Sequence, residues 1–290
     1  MDFFSILPEG LLSEILSRTS PRDVCRSSVI TRGFKLVADS NDTWDRFLPS
    51  DHEKIISKLP VAFSTKKQLY FRLANSFILL DDGELFGSSD LNEGFKSRTG
   101  FTLDKASGKI CLTLGARELT IECRSDPVNW TGTYLPQSRF KEVANLQVVP
   151  WFDIKGKVEA RLLSPKTTYV VFLVFNLGLD LGPRNYRYGL LPAKASVRFY
   201  GERGGGDGDG DEDGDEIPNI VSLGIRSFRS DHGQFAQRRM DYWMETELGE
   251  FFSGQGDTGE VEVRLMGIER DCWTYDLFVA GIELRPKVDS

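Results

Sequence analysis

The feature that most constrains the fold is a set of segments beyond about residue 95 in which apolar and polar residues alternate. In GEVEVRLMG, Val261, Val263 and Leu265 alternate with charged residues, which gives a strand one buried and one solvated face. Several short strands of this kind predict an all-β sandwich of two sheets. The other strand-like segments are KICLTLGA, ELTIECR, VEARLL, TTYVVFLVFNL, ASVRFYG and YDLFVAGIELRP.

Two of these segments depart from simple alternation. YVVFLVF, at residues 169–175, is apolar throughout and predicts a strand that is buried on both faces. In YDLFVAGIELRP the phase slips between Val279 and Ile282, at Ala280-Gly281. This slip predicts a β-bulge.

Residues 1–48 have a different pattern, which predicts a small module of short helices. Leu11, Leu12, Ile15 and Leu16 have helical spacing, and Ser20-Pro21-x-Asp23 is a strong helix start. Helices this short are marginal in water on their own. The module is therefore either an ordinary helical subdomain or one whose apolar surface is completed by a partner.

Residues 49–88 predict a helical connector. LPSDHEKIISKLP is typical of a short helix, and KKQLYFRLANSFILL predicts a packed helix through Leu80 that ends at Asp81-Asp82-Gly83. A rigid connector would set the distance between the two halves of the chain.

Charge is concentrated in one segment. Eight acidic residues and one arginine in residues 202–216 account for the whole net charge of −7. Glycine and like charges oppose compaction, so we expect a disordered acidic loop here. The rest of the chain is neutral and has no basic stripe, which argues against nucleic acid as a partner.

Other functional classes lack a supporting motif. The acidic loop resembles half of an EF-hand, but Ile220 stands where calcium binding requires a bidentate Glu, so we expect no metal site. The two histidines, His52 and His232, have no nucleophile motif near them, so we predict no enzymatic activity and no cofactor.

We also expect no membrane association. No apolar run is long enough to span a bilayer, and the MDFFSILPEG start lacks the basic region of a secretory signal. The four cysteines form no C-x-x-C pair. We therefore expect reduced thiols and a location in the cytoplasm, the nucleus or both.

The stretch ILPEGLLSEILSRTSPRDVCRSSVITRGFKLVADSNDTWDRFL resembles the F-box. The resemblance implies a module that binds a small adaptor protein, and through it a cullin, in an SCF-type ubiquitin ligase. A local-core role is the alternative for each anchor, and we expect it for about half of them. The anchors that carry over to adaptor binding are Leu7, Pro8, Ile15, Leu16, Pro21, Val29 and Trp44.

The second half also resembles a known family. LPQSRFKEVANLQVVPWFDIKGKV, LSPKTTYVVFLVFNL, DYWMETELGEFF and VEVRLMGIERDCWTYDLFVAGIELRPK are similar to the phloem protein 2 family, whose domain is also called Nictaba-like. The resemblance implies a lectin-like β-sandwich that binds N-acetylglucosamine oligomers or N-glycans in some members.

The resemblance also implies a place for a glycan site. The family usually carries two tryptophans in this strand and loop; here the later one is Trp130, while Cys123 stands at the earlier position. A hexose needs a flat aromatic face and a few polar groups. The candidates are Trp130 for stacking and Asp126, Asn129 and Tyr134 as its polar neighbours. Glycan binding and protein-motif binding remain equal alternatives.

The expected architecture is therefore an α+β chain of two domains, with a small all-α F-box followed by a jelly-roll-type β-sandwich. The boundaries are an F-box at 1–48, a connector at 49–88 and a sandwich at 89–287. The expected function is a non-catalytic receptor that presents a target protein or glycoprotein to a ubiquitin ligase. The alternative is a carbohydrate-binding lectin without a ligase role.

Overall fold

The computed structural model divides the chain into two compact units, Met1–Cys111 and Leu112–Ser290. We call them the N-terminal unit and the C-terminal unit and consider each by itself. The structure describes residues 8–49, 52–53, 63–81, 84–86, 99–123, 130–135, 138–140, 142–149, 151–177, 192–202, 218–225, 234–241, 243–268 and 274–288.

Five helices and three strands form the described part of the N-terminal unit. The helices are α1 (Glu9–Ser17), α2 (Pro21–Ser27), α3 (Arg32–Ala38), α4 (Asn41–Asp45) and α5 (Lys66–Asn75), and the strands are β1 (Ile78–Asp81), β2 (Glu84–Phe86) and β3 (Thr99–Leu103).

Side-chain caps explain where four of these helices begin. The hydroxyl oxygens of Ser20, Thr31, Ser40 and Thr65 each accept a hydrogen bond from the backbone N–H three residues later. The helix start predicted at Ser20-Pro21 is confirmed, since α2 begins at Pro21 and the N–H of Asp23 donates to Ser20 at 3.1 Å.

The predicted packed helix through Leu80 is wrong in its second half. The helix ends at Asn75, because Ser76 has an extended backbone (φ −126°, ψ 139°), and Ile78 begins β1. β1 pairs with both β2 and β3, so the segment predicted as a helical connector also contributes strands. Of the helix expected at residues 48–60, the structure describes His52 and Glu53 as helical, and residues 54–60 lie outside the described residues. Most of the acidic segment at 202–216 also lies outside them.

The C-terminal unit is built of strands. They are β4 (Ile110–Gly115, which begins in the N-terminal unit), β5 (Thr120–Cys123), β6 (Trp130–Tyr134), β7 (Glu142–Val149), β8 (Phe152–Glu159), β9 (Thr167–Leu177), β10 (Pro192–Glu202), β11 (Asn219–Ile225), β12 (Gln234–Arg238), β13 (Met244–Ser253), β14 (Thr258–Gly267) and β15 (Thr274–Pro286).

The hydrogen-bonded order in this unit is β4-β15-β9-β13-β12-β11-β10-β14-β8-β5, with β7 between β15 and β6. Two layers face each other across the core. A methyl group added at Gly156 of β8 would lie 3.1 Å from the side chains of Ile282 and Leu114, and one at Gly249 of β13 would lie 3.1 Å from Val197 of β10. The predicted two-sheet sandwich is confirmed.

Most strand predictions in this unit are confirmed. Val261, Val263 and Leu265 are buried along β14, and Tyr169–Phe175 of β9 is buried except for Phe172. VEARLL is an exception, because the strand ends at Glu159 and Ala160–Leu162 forms a 3-10 turn.

The predicted bulge in β15 is also confirmed. The register along β9 jumps from Val279 to Gly281, which leaves Ala280 without a partner there. Gly281 has φ +156°, and a Cβ at this position would lie 2.0 Å from the carbonyl oxygen of Leu114. Only glycine tolerates both the backbone angle and this close approach.

Candidate functional site

The first candidate site is on α1, which has two apolar stripes. Leu12 and Leu16 are each 2% exposed and form part of the core, whereas Leu11 and Ile15 are 53% and 50% exposed. Each pair is spaced i, i+4, so its members lie on one face, and the two faces are about 100° apart around the helix. One face of α1 therefore builds the unit, and the other presents leucine and isoleucine to solvent.

Further exposed apolar residues lie after α2 and on α3. Val29 and Ile30 follow α2 and are 87% and 53% exposed, and Leu36 on α3 is also exposed. Single exposed apolar residues are common, whereas several within one small unit make a candidate interaction surface. We call Leu11, Ile15, Val29, Ile30 and Leu36 the exposed apolar set.

The structure divides the residues predicted to bind an adaptor into two groups. Pro8 lies at the start of α1 and, like Ile15 and Val29, is exposed. Leu16, Pro21 and Trp44 are buried in the N-terminal unit, so they have no surface to offer a partner. We therefore assign these three a core role and expect direct contacts from the exposed residues. Leu7 lies outside the described residues.

Trp44 is the centre of the aromatic core. Its indole N–H donates to the carbonyl of Ala38 at 2.6 Å, and its ring lies 5.0 Å from that of Tyr70 and 5.4 Å from that of Phe71, both on α5. Burial, with a smaller contribution from Asp104, raises the pKa of Tyr70, whose hydroxyl donates to the backbone carbonyl of Asp104 at 3.0 Å. The late tryptophan thus joins the first four helices to α5.

The polar side of α1 is fixed by ion pairs. Glu14 accepts from Arg18, which directly follows α1, and from Arg46 after α4, with N–O distances of 2.7 and 3.1 Å. The hydrogen bond from Arg18 contributes most to lowering the pKa of Glu14. The two arginines therefore orient the carboxylate of Glu14, which directly precedes the exposed Ile15 in the sequence.

The second candidate site is the predicted glycan segment of the C-terminal unit. Trp130 and Tyr134 are the two ends of β6. Tyr134 is 62% exposed. Asp126 and Asn129, and the side chain of Trp130, lie outside the described residues. Cys123, at the other family tryptophan position, ends β5.

A third candidate, which the sequence patterns did not reveal, is a cleft above the bulge in β15. It contains about 320 Å³ of empty space, including open solvent. Its lining comes from five segments far apart in sequence, which is why no motif pointed to it. The lining residues are Thr113, Ser138, Arg139, Phe140, Val174, Arg239, Asp241, Trp243, Ala280, Gly281 and Glu283.

The floor of the cleft holds a buried carboxylate, Glu283, which is only 4% exposed. Arg139, Arg239 and Arg285 approach it at 3.1, 3.0 and 2.5 Å. Burial raises the pKa of Glu283, but the attraction of the three arginines outweighs it, so the pKa lies below its ordinary value of 4.5. The carboxylate is therefore ionised at neutral pH.

Glu245 shares two of these arginines. It pairs with Arg239 at 3.1 Å and with Arg285 at 2.5 Å, and the Arg285 guanidinium also stacks 4.4 Å from the Phe172 ring. Arg239 further pairs with Asp241 at 3.2 Å. We call this group of three arginines and three acids the charged network.

Comparison with known proteins assigns the chain to a family. A family model for phloem protein 2 matches residues 109–286, and a model for the F-box domain matches residues 4–46. This chain belongs to the F-box and phloem protein 2 family. The F-box match spans α1–α4, and the phloem protein 2 match spans β4–β15.

Relatives with the same two domains occur in Arabidopsis thaliana. F-box protein At2g02240 is 35% identical over 288 residues, which cover 98% of this chain and 80% of the relative. F-box protein PP2-B10 is 35% identical over 285 residues, covering 98% of this chain and 94% of the relative. Both alignments therefore extend over the F-box and the phloem protein 2 halves of this chain.

Among solved structures, the TmCBM61 module in complex with β-1,4-galactotriose is similar to this chain. The similarity covers 60% of this chain and 91% of the TmCBM61 chain. Its TM-score is 0.31 and its sequence identity is 10%. At these values the similarity supports no argument about the ligand of the phloem protein 2 domain.

Within the described residues, the F-box and phloem protein 2 chain shows no helix long and apolar enough to span a membrane. The same residues bring together no group of three or more His, Cys, Asp or Glu side chains suited to a metal ion.

Proposed function

We propose that this chain is the substrate-recognition subunit of an SCF-type cullin–RING ubiquitin ligase. In this proposal the F-box binds the adaptor protein, and through it the cullin, while the phloem protein 2 domain binds a target protein or glycoprotein. The observation that carries the proposal is the exposed apolar set, which lies on α1, after α2 and on α3, before Trp44 in the chain.

Burial of this set would supply the affinity for the adaptor. Apolar area removed from water contributes roughly 25 cal/mol per Å², so burial of five branched aliphatic side chains against the adaptor would add up to a substantial contribution. The buried residues Leu16, Pro21 and Trp44 would support this surface from below, since they fix the helices that carry it.

The receptor itself would not be catalytic. Holding the target next to the ligase turns a rare encounter into a near-intramolecular step, and the ubiquitin-transfer chemistry belongs to other subunits. We expect the receptor to work in the cytoplasm or the nucleus, where such a ligase would meet its targets.

The test is adaptor binding by two matched variants of the full chain. Ile15 and Phe252 are both 50% exposed, but Ile15 belongs to the exposed apolar set and Phe252 lies on β13. Ile15→Asp should weaken binding to purified adaptor proteins by about tenfold or more, because it places a charge in an apolar contact. Phe252→Asp should leave binding unchanged. Equal binding by both variants would remove this surface as the docking site.

A second candidate function, glycan binding without a ligase role, is favoured by the exposed ring of Tyr134 on the strand that begins at Trp130. Aromatic faces stack on hexose rings. On a glycan array, Trp130→Ala and Tyr134→Ala should then each lower the signal, whereas Tyr200→Ala, which removes a similarly exposed ring from β10, should not. An array on which the unaltered protein gives no signal would eliminate this candidate.

A further inference from the structure

The cleft lies where the β15 ladder is interrupted on both sides. On one side, the pairing with β9 passes from Val279 directly to Gly281, so Ala280 has no partner residue in β9. On the other side, pairing with β7 ends at Val279 and pairing with β4 begins at Gly281. Ala280 therefore has no partner residue in any of the three neighbouring strands, and it lines the cleft. Bulges are frequent next to binding and active sites, because they redirect side chains and end regular pairing.

The walls of the cleft offer hydrogen-bond donors and acceptors side by side. Arg139 and Arg239 contribute guanidinium donors, and Asp241 and Glu283 contribute carboxylate acceptors. Ser138 and Thr113 add hydroxyl groups. The side chains of Arg139 and Asp241 are 44% and 43% exposed, so both can be reached from solvent, whereas Glu283 lies beneath them.

The balance of charge favours an uncharged ligand. The charged network contains as many carboxylates as guanidinium groups, so a ligand anion would meet Asp241 and Glu283 and a ligand cation would meet the arginines. A neutral group that both donates and accepts hydrogen bonds would avoid repulsion by the carboxylates and by the arginines.

The aromatic residues argue against a sugar ring in this cleft. Trp243 is only 6% exposed, because it packs with Val143, Val174 and Phe278 in an apolar cluster. Little of its ring is available to stack on a hexose, which needs an open aromatic face. A smaller planar group therefore fits this lining better.

We propose that the cleft binds the carboxamide of an Asn or Gln side chain on the target protein. A carboxamide is planar and neutral, with a carbonyl oxygen that accepts and an NH₂ group that donates. The exposed guanidinium of Arg139 donates to its oxygen, and the exposed carboxylate of Asp241 accepts from its nitrogen. This inference rests on the proposed function, since it places target recognition in the phloem protein 2 domain.

The test is a titration of the isotope-labelled full chain, followed by NMR at the Trp243 indole N–H and the Gly281 amide. Three probes are compared: N-acetylglutamine methylamide, its charged isostere N-acetylglutamate methylamide, and chitobiose as the sugar probe. The glutamine probe should shift both signals in a saturable way. The glutamate probe should bind at least about tenfold more weakly, because its carboxylate faces Asp241.

Variants locate the contact. Arg139→Gln should abolish the shifts caused by the glutamine probe, and Arg139→Lys, which keeps the charge but loses the planar donor pair, should weaken them. Arg161→Gln is the control, because it breaks an exposed ion pair with Glu159 away from the cleft. If Arg139→Gln does not fold, the lysine variant and the comparison of the neutral glutamine probe with the anionic glutamate probe still decide the question.

Four results would overturn the proposal: no shift from the glutamine probe, equal affinity for the glutamine and glutamate probes, unchanged binding by both Arg139 variants, or shifts from chitobiose alone. The last result would assign the cleft to a glycan. None of these results concerns the adaptor, so failure here is distinguishable from failure of the proposed ligase role, which the Ile15 variant tests.

Discussion

The two units of the chain expose their large apolar residues in different patterns. In the N-terminal unit, five large aliphatic side chains are exposed within residues 11–36, where the helices have at most nine residues. In the described part of the C-terminal unit, the exposed large apolar residues are spread singly over residues 134–288, and strands of ten or more residues enclose a continuous core. The difference supports the proposal that the first unit presents an apolar surface to a partner.

The largest expected effect comes from removing the aromatic centre of the N-terminal unit. Trp44→Ala should lower the free energy of unfolding of this unit by about 3–5 kcal/mol, because a fully buried indole leaves a cavity. Differential scanning calorimetry of the full chain should show loss of the N-terminal transition and little change in the C-terminal one. If the C-terminal transition shifted equally, the two units would not unfold independently.

The next effect tests the charged network of the C-terminal unit. Glu283→Gln should cost about 3 kcal/mol at pH 7, because three arginines lose a buried anionic partner. The pKa of Glu283 is lowered in the folded state, so its stabilisation is present above its ordinary pKa of 4.5 and is lost as the pH falls through the folded-state pKa.

Urea unfolding from pH 7 to pH 3 measures both consequences. The difference between wild type and Glu283→Gln should shrink toward acid pH. Glu250→Gln is the control, since Glu250 is exposed and pairs with Lys287 at the surface. A difference that stays constant with pH would mean that the charge of Glu283 does not stabilise the fold.

A pair of glycine substitutions contrasts the two units directly. Gly281→Ala should destabilise the C-terminal unit by about 2 kcal/mol, because its Cβ would collide with the Leu114 carbonyl at a backbone angle that alanine rarely adopts. Gly10→Ala in α1 meets no atom within 4 Å and should stabilise the helix by about 0.5 kcal/mol. Thermal unfolding measures both, and two changes of the same sign would contradict the structure at one of these positions.

The smallest expected effect concerns a buried hydroxyl group in the C-terminal core. The Thr246 hydroxyl is buried without a hydrogen-bond partner among the described residues. Thr246→Val keeps the shape and removes this polar group, so it should raise the free energy of unfolding by about 1 kcal/mol. Thr258→Val at an exposed position of β14 should change it little. Destabilisation by Thr246→Val, measured in urea, would mean that the hydroxyl has a partner after all.

The sequence was sufficient to predict the sandwich, because alternation along β14 and the apolar run of β9 are local patterns that burial imposes on strands. It also predicted the bulge at Ala280-Gly281 and the capped start of α2. It failed at Ile78, where apolar residues continue the helical spacing of α5 while the chain turns into β1. Periodicity alone does not separate a helix end from a short strand.

The sites were less predictable, for a physical reason. The spacing of Leu11, Leu12, Ile15 and Leu16 predicts a helix with apolar residues, but which pair is buried depends on how α3 and α4 pack against it. Trp44 was predicted as a docking contact, and only the three-dimensional structure shows it enclosed by aromatic rings. The cleft was missed because Arg139, Arg239 and Glu283 meet only after the sheet has formed.

Hydrogen exchange of the full chain, with and without the adaptor that it binds, tests the central contrast most directly. The account predicts that the adaptor slows exchange in α1 and α3 and leaves the amides of β9, β13 and β15 unchanged. Unchanged exchange in those helices upon saturating adaptor, or protection confined to the strands, would contradict the assignment of the exposed apolar set as the docking surface.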